Sequence, residues 1–373
     1  MINQLRLRNF KCFKDQVLEL RPLTMLSGLN GMGKSSVIQS LLLLRQSYEQ
    51  NLLPDKGLAL NGDLVGLGTA KDALFEGANE DQIGFTLNWS NGKEADWLFN
   101  YNQEADVLEL ISAQVIAEIY NTPLFNDKFH YLQAERIGPR TSFEISDYIV
   151  RQHHQLGTRG EYTAQFLSIF GRNITINDKR THPESNSPKL EDQVEAWVRE
   201  VSPGTRLKIE QFSGIDLMSL RYSFVTGEYV SDAYRPTNVG FGLTYTLPIL
   251  VALLSAEAGS LVLLENPEAH LHPKGQAKIG ELIALAASCG VQVLLETHSD
   301  HVLNGIRLAV HAGKLEANDV QLHYFQRQEQ DGQAQSEIIS PRMDANGRID
   351  QWPDGFFDEW DKSLDALLEP RNI

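Results

Sequence analysis

The chain begins with two short segments in which apolar and polar residues alternate, a period that is typical of half-buried strands. These segments are residues 5–10 and 17–20, and a short apolar run at 23–26 predicts a buried strand after them. A glycine-rich stretch follows, and then residues 37–48, which are apolar nearly all round. We therefore predict two strands, a buried strand and a buried helix, in this order.

A hairpin is predicted further along the chain, where residues 83–89 and 94–101 flank the dipeptide Asn91-Gly92. This dipeptide favours a type I′ turn, because that turn needs positive φ at both central positions. We therefore expect an antiparallel sheet after the first helix.

The second half of the chain shows more short apolar segments. The predicted strands are residues 206–212, 218–225, 260–264 and 291–295, and the predicted helices are residues 243–258, interrupted near Pro248, and 273–288. The spacing of the last strand, helix and strand indicates a parallel sheet. Residues 145–205 are irregular in composition and predict an insertion with an exposed loop at 177–189. The aromatic residues of the last thirty positions predict a small element that packs onto the body.

The composition is that of a globular protein with a sizeable core, since 42% of the 373 residues are apolar. Lys and Arg number 33 against 49 Asp and Glu, a formal charge of −16. This charge argues against avid DNA binding over the whole surface, but it allows a local basic patch. Cys12 and Cys289 lie far apart, which favours a reducing compartment over a disulfide framework. No apolar run approaches the ~18 residues of a membrane span, so we expect a cytoplasmic protein without a membrane segment.

A phosphate-binding loop is predicted between the buried strand and the buried helix. Gly28, Gly33, Lys34 and Ser35 match the P-loop pattern. In such a loop, backbone amides surround the phosphates, the lysine reaches the β- and γ-phosphates, and the serine ligates magnesium. The candidate ATP-binding residues are Asn30, Gly31, Gly33, Lys34, Ser35 and Ser36. The alternative is a glycine-rich turn with an incidental lysine.

Two later predicted strands are also followed by residues whose side chains are candidates for a role in catalysis. Glu265 follows the apolar run 261–264 and is the candidate for a Walker B carboxylate on the magnesium side, together with Ser35. The alternative is a core strand closed by a solvated turn. His298 follows another buried strand, where an imidazole can sense a γ-phosphate. Taken alone, His298 favours a structural histidine over a phosphate sensor.

The order of these elements resembles the ATPase heads of the ABC class, in the branch of SMC, RecF and OLD (overcoming lysogenization defect) proteins. The motifs that carry the resemblance are Leu-Arg-Asn-Phe-Lys-Cys-Phe at 7–13, the loop at 28–35, Pro-Glu-Ala-His-Leu-His-Pro at 267–273 and Thr-His-Ser at 297–299. They anchor residues 1–50 and 230–310. The chain most resembles OLD-like bacterial ATPases that end in a short C-terminal domain of unknown function.

The resemblance implies an α/β fold, namely an ABC-type P-loop NTPase head with a mixed sheet core, an antiparallel β subdomain, a helical insertion and a short C-terminal element. It divides the chain into residues 1–144 and 206–340 as the two halves of the head, 145–205 as the insertion and 341–373 as the acidic, aromatic C-terminal element. Heads of this class dimerise around two ATP molecules, each completed by the partner's signature motif. Asn238 and Gly240, just before a predicted helix, are the signature candidates here, and the alternative is an ordinary loop-to-helix junction.

The resemblance also locates a departure at the catalytic position. Asn266 stands where the branch usually has a glutamate that orients the attacking water, and asparagine cannot accept a proton in the physiological range. We therefore expect slow hydrolysis. Glu268 is the carboxylate that can take over, and its alternative is a solvated acid of the D-loop. His298 matches the switch histidine of the branch.

Two further interpretations concern a group of four histidines and one pair of charged residues. His270, His272, His298 and His301 invite a metal-binding interpretation, but the D-loop resemblance already explains the first two, and no acid or thiol completes a tetrahedral set. Glu135 and Arg136 are predicted to form an ordinary surface pair, whereas the resemblance implies a place near the nucleotide for this segment, to which we assign no role.

The expected function is that of a cytoplasmic ABC-type ATPase that cycles between open and ATP-clamped dimers. It would drive a separate effector protein, a nuclease being one option, or a DNA transaction, in bacterial defence against phage. The 75 residues after His298 are too few for the Toprim domain of OLD nucleases, so we expect none. The competing interpretations are a nucleotide-sensing regulatory subunit with slow or no turnover and a DNA-repair type ATPase head.

Overall fold

A computed structural model describes residues 1–212, 214, 216–330 and 333–368. The strands in the first half are β1 (Ile2–Phe10), β2 (Phe13–Glu19), β3 (Leu23–Gly28), β4 (Gly57–Ala59), β5 (Gln82–Trp89), β6 (Glu94–Asn100), β7 (Val107–Gln114), β8 (Phe129–Leu132) and β9 (Phe143–Glu144). Those in the second half are β10 (Thr205–Phe212), β11 (Leu217–Thr226), β12 (Tyr229–Val230), β13 (Leu261–Glu265), β14 (Gln292–Glu296), β15 (Val320–Gln330) and β16 (Gln333–Ile339). The α-helices are α1 (Lys34–Glu49), α2 (Thr163–Phe170), α3 (Leu190–Val201), α4 (Phe241–Ser255), α5 (Pro273–Ser288), α6 (Asp300–His311) and α7 (Glu359–Leu368).

The central sheet of the described residues has the order β16-β15-β3-β14-β13-β8. The pairs from β15 to β8 are parallel, and β15 pairs with β16 antiparallel, so the sheet is mixed as predicted. β14 lies between β3 and β13, although it follows both in the chain. The carboxyl ends of these three strands therefore meet at one edge of the sheet, with the end of β14 in the middle.

The predicted antiparallel sheet is also present, with the order β2-β1-β5-β6-β7-β4. The type of turn predicted for its hairpin is wrong. Of the turn residues only Gly92 has positive φ, at 79°, and Asn91 does not. The Gly92 amide donates to the Trp89 carbonyl at 2.9 Å, and the Trp89 amide donates to the Lys93 carbonyl at 2.9 Å. The loop is therefore three residues long with its glycine in the left-handed region, which is the next most common hairpin connection.

α1 lies between these two sheets. Its leucines pack in one apolar cluster with β1, β5 and β6 of the antiparallel sheet and with Leu261, Leu263 and Leu294 of the central sheet. A helix that is covered on both sides must be apolar nearly all round, which explains the sequence pattern. The opposite face of the central sheet packs against α4, α5 and α6 in a second cluster.

The predicted interruption of the helix near Pro248 is wrong, because α4 runs through it. Proline lacks the amide that would bond to the carbonyl of Thr244, so the helix loses one hydrogen bond there. All residues from Thr246 to Leu254 are buried. The burial of this apolar helix against α3 and α5 compensates for the lost bond.

Residues 145–205 contain α2 and α3, and both helices contact α4. The loop between them is not fully exposed as predicted, because Arg180 and His182 are buried. Arg180 Nη1 donates to the carbonyls of Leu253 and Ala256 at 2.9 and 2.6 Å. The guanidinium thus satisfies carbonyls at the C-terminus of α4 that have no partner within the helix.

Some of the aromatic side chains near the C-terminus pack onto the body, as predicted. Phe356 is fully buried, and its ring centroid lies 5.4 Å from that of Tyr324 on β15. Trp360 departs from the prediction, because it is 71% exposed on α7. No helix within the described part of the chain is long and apolar enough to cross a membrane.

Candidate nucleotide-binding site

The glycine-rich loop joins β3 to α1 at the edge of the central sheet. Gly28, Gly31 and Gly33 all have positive φ, of 127°, 77° and 99°, which is a region that L side chains rarely adopt. A Cβ atom at Gly28 would lie 2.1 Å from the carbonyl oxygen of Phe325 on β15. The loop conformation therefore requires glycine at the positions that the P-loop pattern assigns to it.

Lys34 is buried at the first position of α1, and its Nζ donates to the carbonyls of Gly28 and Leu29 at 2.9 and 2.8 Å. Burial lowers the pKa of the Lys34 ammonium, an effect that the nearby Glu296 carboxylate partly offsets. The ammonium is thus folded over the loop whose centre the phosphates would fill. A phosphate oxygen there would replace neutral carbonyl partners with a charged one, which makes a stronger hydrogen bond.

A cleft of about 420 Å³ opens at the loop. Its lining includes the six candidate residues Asn30, Gly31, Gly33, Lys34, Ser35 and Ser36, together with Lys11, Cys12, Gln39, Asp72 and Glu296. The fold therefore brings together the residues predicted to bind ATP, and it adds the turn between β1 and β2 as one wall.

Glu296 is the functional candidate that the sequence analysis missed. Ser35 Oγ donates to Glu296 Oε2 at 2.9 Å, and Lys34 Nζ lies 3.9 Å from Glu296 Oε1. Burial raises the pKa of the Glu296 carboxyl, against the lowering by the Ser35 hydrogen bond and the Lys34 charge. Glu296 is the last residue of β14, two positions before His298, so its place at the end of a buried strand was the signal available.

Glu265 lies at the end of β13, beside Glu296 in the parallel register. Both of its carboxylate oxygens accept hydrogen bonds on the side away from the loop, from the Tyr131 hydroxyl at 3.0 Å and from the Ala134 amide at 3.2 Å. Burial raises the pKa of the Glu265 carboxyl. Glu265 is not among the described residues that line the cleft.

Arg136 is not half of a surface pair, so that prediction is wrong. Its side chain is only 1% exposed, and it donates to the backbone carbonyls of Glu265 and Asn266, each at 2.7 Å. Glu135 pairs instead with Arg159 at 2.8 Å. Burial lowers the pKa of Arg136 to about 10, so the guanidinium stays charged at neutral pH. Arg136 therefore fixes the backbone at the end of β13.

Asn266 adopts φ of 45°, in the left-handed region. Its amide donates to the carbonyl of Glu296 at 2.9 Å, so the turn after β13 is tied to β14. Asparagine tolerates this conformation better than glutamate does, because its short polar side chain interacts with the local backbone. The backbone conformation is therefore one reason for asparagine at this position, apart from any role in the chemistry.

Glu268 joins the turn after β13 to the turn after β14. Its Oε2 accepts from the Thr297 hydroxyl at 2.7 Å and its Oε1 from the His298 amide at 2.8 Å. Both oxygens of the half-buried Glu268 are thus engaged within the chain, and Glu268 is not a purely solvated acid. Desolvation and the positive charge of Lys34 lower the pKa of the His298 imidazole, which favours its neutral form. Glu268 holds the backbone that carries this imidazole.

Asn238 and Gly240 lie on the surface, with Gly240 at the N-cap of α4. Apart from Gly240 and its neighbours in the chain, no heavy atom of the described residues lies within 4 Å of a Cβ atom placed at Gly240. Gly242 is different, because its Cβ would lie 2.6 Å from the carbonyl oxygen of His270. The start of α4 therefore packs on the turn after β13 and leaves Gly240 open, outside the described lining of the cleft.

Two of the histidines that suggested a metal site, His270 and His272, have local partners. His272 caps α5 by accepting from the Lys274 amide, and the ring of His270 lies 4.7 Å from that of Tyr245. Among the described residues no three His, Cys, Asp or Glu side chains form a metal-binding group.

The residues present fit ATP with magnesium. The loop conformation leaves no room for a Cβ atom at Gly28, which would meet the backbone of Phe325, or at Gly33, which would meet the side chains of Cys12 and Phe13. Lys34 supplies a buried ammonium for the phosphates. Ser35 and Glu296 place a hydroxyl and a carboxylate side by side, and such oxygen ligands suit magnesium.

Comparisons with known proteins show what the chain is similar to. Residues 23–304 match a family model described as "AAA domain, putative AbiEii toxin, Type IV TA system", and residues 315–367 match a family of proteins of unknown function, DUF3696. An OLD nuclease of Thermus scotoductus is 23% identical over 326 residues, which cover 80% of this chain and 59% of that protein. The chain thus spans less than two thirds of that relative.

The solved structures include similar folds. The crystal structure of an SMC head bound to the C-terminal winged-helix domain of ScpA superposes with a TM-score of 0.55 at 14% identity. The match covers 91% of this chain and 97% of that one. At this identity the likeness concerns the fold.

Proposed function

Because the chain belongs to the AAA-domain family that matches residues 23–304 and is an ABC-class ATPase head of the SMC and OLD type, we propose that it binds ATP with magnesium at the P-loop and hydrolyses it as a dimer. The observation that carries the proposal is the cleft in which positive-φ glycines, a buried Lys34 and the Ser35 hydroxyl converge at the N-terminus of a helix. A helix N-terminus favours anions, since its free amides and its dipole both point at the ligand.

Each side chain has a defined part in binding. The Lys34 ammonium neutralises phosphate charge, and the Ser35 hydroxyl holds the metal. Magnesium, when bound, offsets the charge of the phosphates. His298 stands in the turn after β14, outside the described lining of the cleft. Its imidazole, when neutral, can donate a hydrogen bond to a phosphate oxygen. Asn266 can position a water but cannot take its proton.

The first test removes the ammonium. Lys34→Ala should weaken ATP binding about ten- to a hundredfold, because a hydrogen bond to a charged group contributes about 1.5–3 kcal/mol. Lys128→Ala is the matched control, because Lys128 precedes β8 at the opposite edge of the central sheet and pairs with Glu257. Titration calorimetry measures both. Equal ATP affinity for wild type and Lys34→Ala would refute the P-loop assignment.

Dimerisation is supported by the surface around Gly240, which is open in the single chain although the resemblance makes it part of an ATP site. In a two-chain site it would contact the nucleotide of the partner. Gly240→Trp should therefore block ATP-dependent association while leaving the folding of the chain unchanged. Gly214→Trp is the control, because its Cβ position is equally open. A wild type that sediments as a monomer with and without ATP and magnesium would exclude the two-chain site.

A nucleotide sensor is the second candidate function. The observation that favours it is that Asn266 occupies the position of the water-orienting glutamate while Glu268 is engaged by Thr297 and His298. Such a chain would hold ATP for long periods and scaffold or restrain a partner. A burst of one phosphate per chain, without further turnover, would distinguish this sensor from an ATPase.

We further propose that the chain acts in the cytoplasm and passes its ATP-dependent change to a separate effector protein or to DNA, in defence against phage. The names of the relatives support this proposal, since one is a nuclease and one family description names a toxin system. The SMC head of known structure is bound to a partner protein. Affinity capture from the native host with wild type and Lys34→Ala, each with ATP, should recover a partner with the wild type alone. Equal recovery with both would refute ATP-gated partnership.

A further inference from the structure

Three carboxylates meet where the central strands end. Glu265 ends β13, Glu296 ends β14, and Glu268 follows in the turn after β13. Their charges interact, since the negative charges of Glu265 and Glu268 both contribute to raising the pKa of Glu296. The three differ in what their oxygens contact, and this difference separates their roles.

Glu296 is the carboxylate that faces the P-loop. β14 is the direct neighbour of β3, and Glu296 stands in register with Leu26, two residues before Gly28. Its Oε2 accepts from the Ser35 hydroxyl at 2.9 Å, and it lines the cleft together with Lys34. It is therefore one strand closer to the loop than Glu265 is.

Glu265 is occupied elsewhere. Tyr131 and Ala134 each donate to one of its two oxygens, and Arg136 holds its carbonyl. These contacts connect the end of β13 to β8 and to the segment that follows it. Their effect is to fix the backbone on which Asn266 and Glu268 stand.

We propose that Glu296 supplies the carboxylate opposite Ser35 at the metal side of the phosphate site, and that Glu265 is a positioning residue that braces the strand end. The inference rests on the proposed binding of ATP with magnesium at the P-loop. It reverses the role that the sequence pattern gave to Glu265. Glu268 has a separate part, in the turn that carries His298.

The charge of Glu296 has a measurable consequence for ATP binding with and without magnesium. Without magnesium, the carboxylate repels the triphosphate, because like charges at short range interact strongly near a protein surface. With magnesium, the same carboxylate favours the cation. Removing the charge should therefore strengthen ATP binding in the absence of magnesium and weaken the benefit that magnesium brings.

The experiment measures ATP affinity of the full chain by calorimetry, in excess magnesium and in EDTA, and takes the ratio of the two affinities. Glu296→Gln should lower this ratio by about tenfold or more, whereas Glu296→Asp, which keeps the charge, should restore most of it. Glu265→Gln should leave the ratio within about twofold of the wild type, because its contacts point away from the loop.

Two outcomes would overturn the inference: an unchanged ratio in Glu296→Gln, or a ratio in Glu265→Gln that falls as far as that in Glu296→Gln. The melting temperature with ATP, compared with and without magnesium, gives a second measurement, and Ser35→Ala should reduce its magnesium dependence as Glu296→Gln does. A wild type that binds no ATP under either condition would refute the proposed function itself, and this result is distinct from a failure of the Glu296 assignment.

Discussion

The contacts of Glu268 predict how two substitutions at this position differ. Glu268 accepts from the Thr297 hydroxyl and from the His298 amide, at 2.7 and 2.8 Å. In Glu268→Gln the amide oxygen can keep the bond from the His298 amide. The new NH₂ group can donate to the Thr297 hydroxyl, which rotates to accept. The turn after β14 should therefore keep its shape.

The magnitudes follow from the hydrogen bonds. Replacing two bonds to a charged acceptor by two neutral ones should cost about 1 kcal/mol, and Glu268→Ala, which removes both acceptors, should cost about 3 kcal/mol. If Glu268 only positions His298, Glu268→Gln should lower kcat by less than about tenfold, and Glu268→Ala by considerably more.

Steady-state phosphate release at saturating ATP and magnesium, together with thermal unfolding of both variants, measures these effects. A positioned general base contributes about 10²-fold or more. A loss of that size in Glu268→Gln, with ATP affinity and melting temperature unchanged, would refute the positioning role and show that Glu268 acts on the attacking water.

Three further predictions concern other parts of the molecule. Asn266→Glu should raise phosphate release if the missing carboxylate limits turnover, at a stability cost of about 1 kcal/mol because φ is 45° there; a stable variant with no gain in rate would refute that explanation of slow turnover. Gly28→Ala should destabilise the fold by several kcal/mol in urea unfolding, because its Cβ would meet a backbone oxygen at 2.1 Å, and wild-type stability would contradict the loop geometry. Burial lowers the pKa of His130 from 6.5 to about 4, so the unfolded chain binds the proton more readily and stability falls as pH drops from 6.5 towards 4. Urea unfolding should show that the wild type loses about 2 kcal/mol more than His130→Leu between neutral pH and about pH 5, and parallel losses in the two chains would contradict it.

Individual elements such as β1 and the P-loop could be predicted from the pattern of residues within each element. The alternation at residues 5–10 predicted β1 because one face of that strand packs on α1 and the other is partly solvated. The P-loop was readable for a related reason, since its glycines are required by φ values within a few consecutive residues. Both signals lie within the segment that they describe.

The order of strands in a sheet is not a local property. No pattern within residues 291–295 indicates that β14 would lie between β3 and β13, so the position of Glu296 beside Ser35 was not predictable from that segment. Arg136 was misread for the same reason, because its partners are carbonyls about 130 residues away in the chain. Pro248 was misread because helix propensity was weighed without the burial that overrides it.

The central claim is that this chain hydrolyses ATP at the P-loop in a site that two chains complete. The rate of phosphate release per chain, measured over a range of chain concentrations with ATP and magnesium, tests it most directly. We predict a rate per chain that rises with concentration towards a plateau as dimers form, and that is lost in Lys34→Ala. A rate per chain that is independent of concentration, or one that survives Lys34→Ala, would contradict the claim.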